Sequence, residues 1–172
     1  DAAGNWVEDV VCKRIPETFG VDAHKEIQVL APMYRGNAGV TALNERLQAS
    51  LNPSQANKPE KTLYGQIFRP GDRVMQTRNN YDKDVFNGDI GVVKAIDLIE
   101  QTLRVSFDGH RLDYDWTETN ELVLAYAVSV HKAQGSEFPV IVMPVVTQHY
   151  IMLQRNLLYT AITRAQRLCV LV

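Results

Sequence analysis

The sequence predicts an α/β domain interrupted by a small β-barrel. Helix–strand alternation with long spacing runs before about residue 52 and resumes after Leu122. Between these parts, about five short strands with tight turns crowd into fewer than about 60 residues, the rhythm of a small barrel. The polar stretch "NPSQANKPEKTLYGQ", residues 52–66, marks the change. The expected division is 1–66 and 122–172 for the two parts of the α/β domain, and 67–121 for the insert.

Residues 3–15 place Trp6, Val7, Val10, Val11 and Ile15 at helical spacing, with Pro16 expected to end the helix. "EIQVLAPM" is a short apolar run closed by proline, the pattern of a buried strand. A Gly-rich bend, "YRGNAG", leads into a helix whose Val40, Leu43, Leu47 and Leu51 share one face, and Asn52-Pro53 ends it. In the insert, "RPGD" is a turn, "RVMQT" a strand and "FNGD" a hairpin signal through Asn87-Gly88. "IGVVKAI" and "TLRVSF" are further strands, and Asp108-Gly109 turns the chain into "HRLDYDW". A strand near 122–128, a polar knot, a strand at 140–146, a helix near 153–165 and a strand at 168–172 follow.

At 172 residues, 45% hydrophobic and 22% charged, the chain reads as globular with a core it can bury. It starts at Asp1 and stops inside the apolar run "RLCVLV", so it reads as a piece of a longer protein. A net charge of −2 gives no global basic field for nucleic acid, although the 18 Lys and Arg leave room for a local groove. Cys12 and Cys169 lie far apart in apolar settings without zinc spacing, which favours reduced thiols over a disulfide framework and predicts no metal site. No apolar run approaches the roughly 20 residues of a membrane span, so no membrane partner is expected.

Four places can carry chemistry. "PMYRGNAG" follows a strand and precedes a helix, where open α/β sheets bind ligands. There Tyr34 offers a flat ring and Arg35 a forked cation. The knot "SVHKAQGSE" supplies Ser129, His131 and Lys132 as donors for phosphate oxygens, Gly135 for close backbone approach and Glu137 as a sugar-hydroxyl acceptor. In "LLYTAITRA", Leu153, Leu157, Leu158, Ala161, Ile162 and Ala165 form an apolar stripe with Arg164 at its flank; that cation must snorkel, pair, or meet an outside anion. "QTRNNYDKDVFNGD" sets Arg78 and Asn79 near Tyr81, a mix suited to a nucleic-acid backbone. Taken singly, each fits a blander account: a turn arginine, a satisfied histidine, a snorkelling cation, a plain hairpin edge.

Together and in this order, these segments resemble the C-terminal half of a superfamily 1 helicase, nearest to the RecD-like DNA helicases and akin to the relaxase–helicases of conjugation. "VLAPMYRGNAGVTALNERLQ" resembles that family's motif IV, "AYAVSVHKAQGSEFPVIVMP" its motif V and "RNLLYTAITRAQRLCVLV" its motif VI. "FRPGDRVMQTRNNYDKDVFNGDIGVV" resembles its inserted Src-homology-3-like barrel, and the likeness runs from about residue 27 to the end. The resemblance implies a RecA-like second motor domain. It also implies that Tyr34 lies against adenine, that Arg35 and Arg164 reach the terminal phosphate, and that Gly135 and Glu137 face the nucleotide. Ser129 and His131 would face the DNA backbone. Gln134 stands where UvrD-type relatives carry lysine, which leaves its role open.

Travel 5′ to 3′, a bacterial cytoplasmic setting, a DNA recombination or repair role and nuclease-complex subunits as partners are implied by the same likeness. ATP and Mg2+ would be held mainly by an N-terminal RecA-like domain. No Gly-x-x-x-x-Gly-Lys-Ser/Thr string occurs here, and no Asp-Glu pair closes an apolar strand, so these 172 residues alone are expected neither to hydrolyse ATP nor to unwind DNA. A non-enzymatic module displaying a β-barrel for protein or nucleic acid, and the helicase part of a conjugative relaxase, stand as alternatives.

Overall fold

A computed structural model describes residues 2–147 and 154–172. In chain order the first elements are α1 (Ala2–Asp9), a π-turn (Val10–Arg14), α2 (Ile15–Phe19), β1 (Ile27–Ala31) and α3 (Val40–Leu51). Then come β2 (Lys61–Leu63), β3 (Gln66–Phe68), β4 (Arg73–Gln76), β5 (Ile90–Asp97), β6 (Thr102–Phe107), β7 (His110–Asp115), a 3-10 turn (Glu118–Glu121) and β8 (Leu122–Leu124). The last are β9 (Ala127–Ser129), a 3-10 turn (His131–Ala133), β10 (Phe138–Met143), α4 (Arg155–Thr163) and β11 (Ala165–Leu171). The described residues up to Leu51 and from Tyr126 onward make one compact unit, and Asn52–Ala125 makes another.

The first unit is built on a parallel sheet of order β11-β10-β1-β9. β1 carries four aliphatic residues and Gln28, all five buried as befits an inner strand covered on both faces, and Gln28 Nε2 donates to the Val29 and Tyr126 carbonyls. α3 buries Val40, Leu43 and Leu47 at i, i+3, i+7, while Thr41, Glu45, Ala49 and Ser50 are exposed. The N-terminal helix continues past Pro16 to Phe19, instead of ending at the proline. The π-turn just before it disturbs the ordinary ladder, Pro16 falls in the first turn of α2 where an amide hydrogen has no helical duty, and Gly20 in the left-handed region closes the segment.

The second unit is an antiparallel sheet of order β7-β6-β5-β4-β8 with the β2–β3 hairpin. Phe68, Val74, Leu103, Val105 and Tyr114 fill its core at no measurable exposure. Asp108-Gly109 makes the expected tight hairpin: both have positive φ, and Phe107 pairs with His110 across the turn. Asn87-Gly88 instead turns within a longer connection from β4 to β5, because Asn80 and Val85 already bridge inside it.

This unit reaches beyond the expected span 67–121 at both ends. Asn52 is buried and donates to Asp72 Oδ1 at 2.7 Å and to the Pro70 carbonyl at 3.1 Å, so the polar stretch is stitched to the barrel. The single strand expected at 122–128 is two strands in two sheets: β8 pairs with β4, and β9 pairs with β1. Ala125 and Tyr126, both buried, separate them. Continuous hydrophobicity hides such a break, since both halves satisfy the same local pattern.

Candidate functional site

The carboxyl end of β1 feeds a bend at 32–39 that α3 closes. The Met33 and Tyr34 carbonyls accept from the Val40 and Thr41 amides at 3.0 and 3.3 Å. Gly39 allows this fold-back, because a Cβ there would sit 2.4 Å from the Arg35 carbonyl oxygen. The bend leaves Tyr34 and Arg35 exposed, and the Tyr34 hydroxyl donates to Ser129 Oγ at 3.4 Å. Ser129 ends β9 level with Ala31, so the two elements meet at one edge of the sheet.

Ser129, expected at the DNA backbone, is 3% exposed, and its Oγ also accepts from the Lys132 amide at 3.2 Å. The hydroxyl thus links the Lys132 amide of the following 3-10 turn to the Tyr34 ring. His131 is exposed on that turn and Lys132 half-buried. Among the described residues β9 is one of the sheet's two outer strands. Asn44 of α3 supports it: Nδ2 donates to the Ala127 carbonyl at 2.8 Å, and the Ala127 amide donates to Oδ1 at 2.9 Å.

From Ser129 the chain crosses to β10 at the opposite edge. Gly135 turns it there with φ of +82°; a Cβ at that position would meet nothing within 4 Å, so the glycine answers the backbone angle and not crowding. Arg164 caps α4 just before β11, and its carbonyl accepts from the Phe138 amide at 2.9 Å. Its Nη1 lies 3.5 Å from the Ser136 carbonyl, and its Nε is buried with no hydrogen-bond partner among the described residues. Glu137 is exposed, with Gln166 Nε2 at 3.4 Å from Oε2. Arg164, Gly135 and Glu137 therefore sit together.

They do not sit with Tyr34 and Arg35. Phe138 pairs two positions before the Ile27 level, whereas Ser129 is level with Ala31. The register separates the two levels by six strand positions, about 20 Å at about 3.3 Å per residue. Tyr34, Arg35, Ser129, His131 and Lys132 occupy the carboxyl edge of β1 and β9; Gly135, Glu137 and Arg164 occupy the amino edge of β10 and β11. Arg35 and Arg164 thus start from opposite ends of the sheet, because a parallel strand carries its two ends to opposite sides.

The α4 stripe is also narrower than expected. Leu157 and Ala161 are buried, but Ile162 is 43% exposed and Ala165 already belongs to β11. Leu153 lies outside the described residues. In the barrel, Arg78 and Asn79 are exposed beside Tyr81 on the β4–β5 connection.

Sequence reasoning passed over Ser136 and Gln166, which hold Arg164 and Glu137, and Asn44. Ser136 acts through its carbonyl, which side-chain identity cannot signal. Asn44 carried a signal: with Gln48 one turn on, it sets a polar pair beside the apolar stripe of Leu43 and Leu47.

Two family models match. The ATP-dependent RecD-like DNA helicase SH3 domain covers residues 43–107, and the UvrD-like helicase C-terminal domain covers 124–172. The ATP-dependent RecD2 DNA helicase of Deinococcus radiodurans is 41% identical over 140 residues, 81% of this chain and 19% of that protein.

This chain belongs to the RecD-like DNA helicases.

Among other RecD-like relatives, the RecBCD enzyme subunit RecD of Mycobacterium tuberculosis is 32% identical over 169 residues, 97% of this chain and 26% of that one. The chain thus spans about a fifth to a quarter of the length of these curated relatives. A crystal structure of Pif1 helicase from Bacteroides, solved with ADP-AlF3 and single-stranded DNA, superposes with a TM-score of 0.63 at 19% identity, covering 97% of this chain and 45% of that one. Pif1 helicase from Candida albicans gives 0.58 at 17%, covering 99% and 53%. At such identities the likeness is of fold. The first unit is a RecA-like helicase domain from the C-terminal region of the RecD-like enzymes, and the Src-homology-3-like barrel is inserted in it. Among the described residues no helix is long and apolar enough to cross a membrane.

Proposed function

We propose that this chain is the second motor domain of an ATP-dependent DNA helicase, with nucleotide read at the amino edge of β10 and β11 and single-stranded DNA at the carboxyl edge of β1 and β9. The observation that carries this is Arg164. Its buried Nε has no hydrogen-bond partner among the described residues and its long contact to Ser136 holds it weakly, which leaves the outer guanidinium donors for an anion. Gly135 and Glu137 beside it supply a backbone turn and a carboxylate acceptor for a ribose hydroxyl. By kinship with the family, Mg2+ would arrive with ATP from an N-terminal RecA-like lobe.

In the mechanism, Arg164 meets charge developing on the terminal phosphate when the two lobes close, and releases it when they open. Tyr34, Arg35, His131 and Lys132 grip the strand, with Ser129 positioning Tyr34. The segment 130–137 joins the two edges, so a change at the phosphate reaches the DNA side through one short connection. Travel 5′ to 3′ belongs to this reading by kinship with the family. Nuclease-complex subunits enter only through the name of the RecBCD relatives.

Arg164→Ala in the full-length protein should lower ATP hydrolysis by about 10³-fold or more with affinity for single-stranded DNA retained, and lysine should not restore it. Arg35→Ala should do the reverse, weakening the strand and sparing hydrolysis at saturating DNA. The 172-residue chain alone should show no turnover. Near-normal hydrolysis by the Arg164 variant, or turnover by the pure chain that the same substitution abolishes, removes the assignment.

A further inference from the structure

The β4–β5 connection of the barrel carries two aromatic rings that the core does not use. Tyr81 is 77% exposed and Phe86 39%, and their rings meet edge-to-face with centroids 5.9 Å apart. An unanchored loop would bury such rings or let them wander; this one is anchored. Asn80 and Val85 exchange backbone hydrogen bonds of 2.8 and 3.1 Å, closing the tip, and the Val85 side chain is buried.

At the base, Glu121 is a hub. Its Oε2 accepts from Gln76 Nε2 at 2.7 Å and Asn80 Nδ2 at 3.3 Å, and its carbonyl accepts from the Thr77 amide and hydroxyl at 2.7 and 2.9 Å. Gln76, fully buried, also takes the Tyr114 hydroxyl on Oε1 and donates to the Arg78 carbonyl. The Asn87 amide donates to Asn79 Oδ1, and the Phe86 amide to Asp89 Oδ2. The two rings are thus displayed on a preorganised scaffold, which reduces the ordering cost of any ligand they meet.

We infer that Tyr81 and Phe86 form a stacking platform for one or two unpaired bases of single-stranded nucleic acid. Two rings are far too small for a stable protein interface, which buries at least about 1,000 Å². They match the face of a nucleobase, whose stacking on an aromatic side chain is tolerant of sequence. Exposed Arg78 and Asn79 flank the rings and can reach the adjoining backbone.

The local charge defines the kind of contact. Residues 77–89 hold Arg78 and Lys83 against Asp82, Asp84 and Asp89, and Lys83 is already engaged by Glu118 and the Asp113 carbonyl. A phosphate-tracking groove would be basic; this site takes the base and leaves most phosphates to solvent. The inference rests on the helicase reading only in expecting single-stranded DNA to be present.

The test compares binding of the 172-residue chain to a dye-labelled oligothymidylate and to an abasic strand of the same length, by fluorescence anisotropy. The wild-type chain should prefer the thymidylate at least about five-fold, the lower end for a single stacked base. Tyr81→Ala with Phe86→Ala should erase that preference while leaving the abasic strand unaffected, and Tyr81→Phe should retain it. Should the double variant misfold, as judged by Trp116 fluorescence, Tyr81→Ala alone serves, its side chain being mostly in solvent. Equal binding of the two strands by wild type, a preference that survives in the variant, or no binding to either strand overturns the platform. None of these outcomes bears on ATP hydrolysis by the Arg164 variant, so the two readings fail separately.

Discussion

Asn44→Ala should loosen the edge strand that positions Ser129 and the crossover. Asn44 is 6% exposed, and its amide makes two hydrogen bonds of 2.8 and 2.9 Å with the backbone of Ala127. Ala127 is fully buried, so truncation orphans one amide hydrogen and one carbonyl out of reach of bulk water. At about 1–3 kcal/mol for each unsatisfied group, the loss is about 2–6 kcal/mol. Urea unfolding in a Trp116→Phe background, where Trp6 reports on the α/β unit, reads it directly. With a slope of about 1–2 kcal/mol per M, the midpoint should fall by at least about 1 M. A fall below about 0.3 M would mean that the Ala127 backbone finds other partners, and would refute the view that this side chain substitutes for a neighbouring strand.

Two glycines should respond differently to alanine. Gly39→Ala puts a methyl 2.4 Å from a backbone oxygen and should cost about 2–4 kcal/mol in thermal or urea unfolding; Gly135→Ala meets no atom and should cost only the backbone strain of about 1–2 kcal/mol. Equal costs would show that the 34–39 bend adapts. In the barrel, Arg104 grips Asp113 through two bonds of 2.7 and 2.9 Å and holds its carboxyl below the usual carboxylate range. A depressed folded-state pKa means stability that is present above the unfolded value of about 4 and lost as pH falls through the folded value. Asp113→Asn should therefore lower the urea midpoint at neutral pH and converge with wild type in acid; a gap that persists at low pH contradicts the pairing.

Much of the fold was legible because local patterns agreed with it. The stripe Val40, Leu43 and Leu47 required a helix, "IQVLA" a buried strand, and Asp108-Gly109 a two-residue hairpin. What escaped was set by pairing partners far along the chain. β8 and β9 read as one strand, since nothing local says that Val74 claims Leu124 while Val29 claims Ala127. The candidate site followed the same division. The residues came from motif strings, and Arg164 does meet the Gly135–Glu137 segment. Which end of the sheet each residue occupies depends on register, which no local string shows, and Tyr34 and Arg35 start from the end opposite Arg164. Gln76 did advertise itself: a polar side chain on the inward face with Val74 signals a buried network, and Glu121 and Tyr114 complete it.

The link between Ser129 and Phe138 also has an evolutionary consequence. It must pass across β1 and descend six strand positions, an end-to-end distance of about 22 Å, in nine peptide steps that fully drawn out reach about 31 Å. The 3-10 turn at His131–Ala133 and the Ser136 amide's bond to the Ala133 carbonyl take up most of that surplus. The stretch is consequently gauge-fixed. Descendant sequences can exchange its side chains, whereas deleting a residue would unwind the turn that carries His131 and Lys132; length variation belongs instead at solvent-facing tips such as Leu98–Gln101.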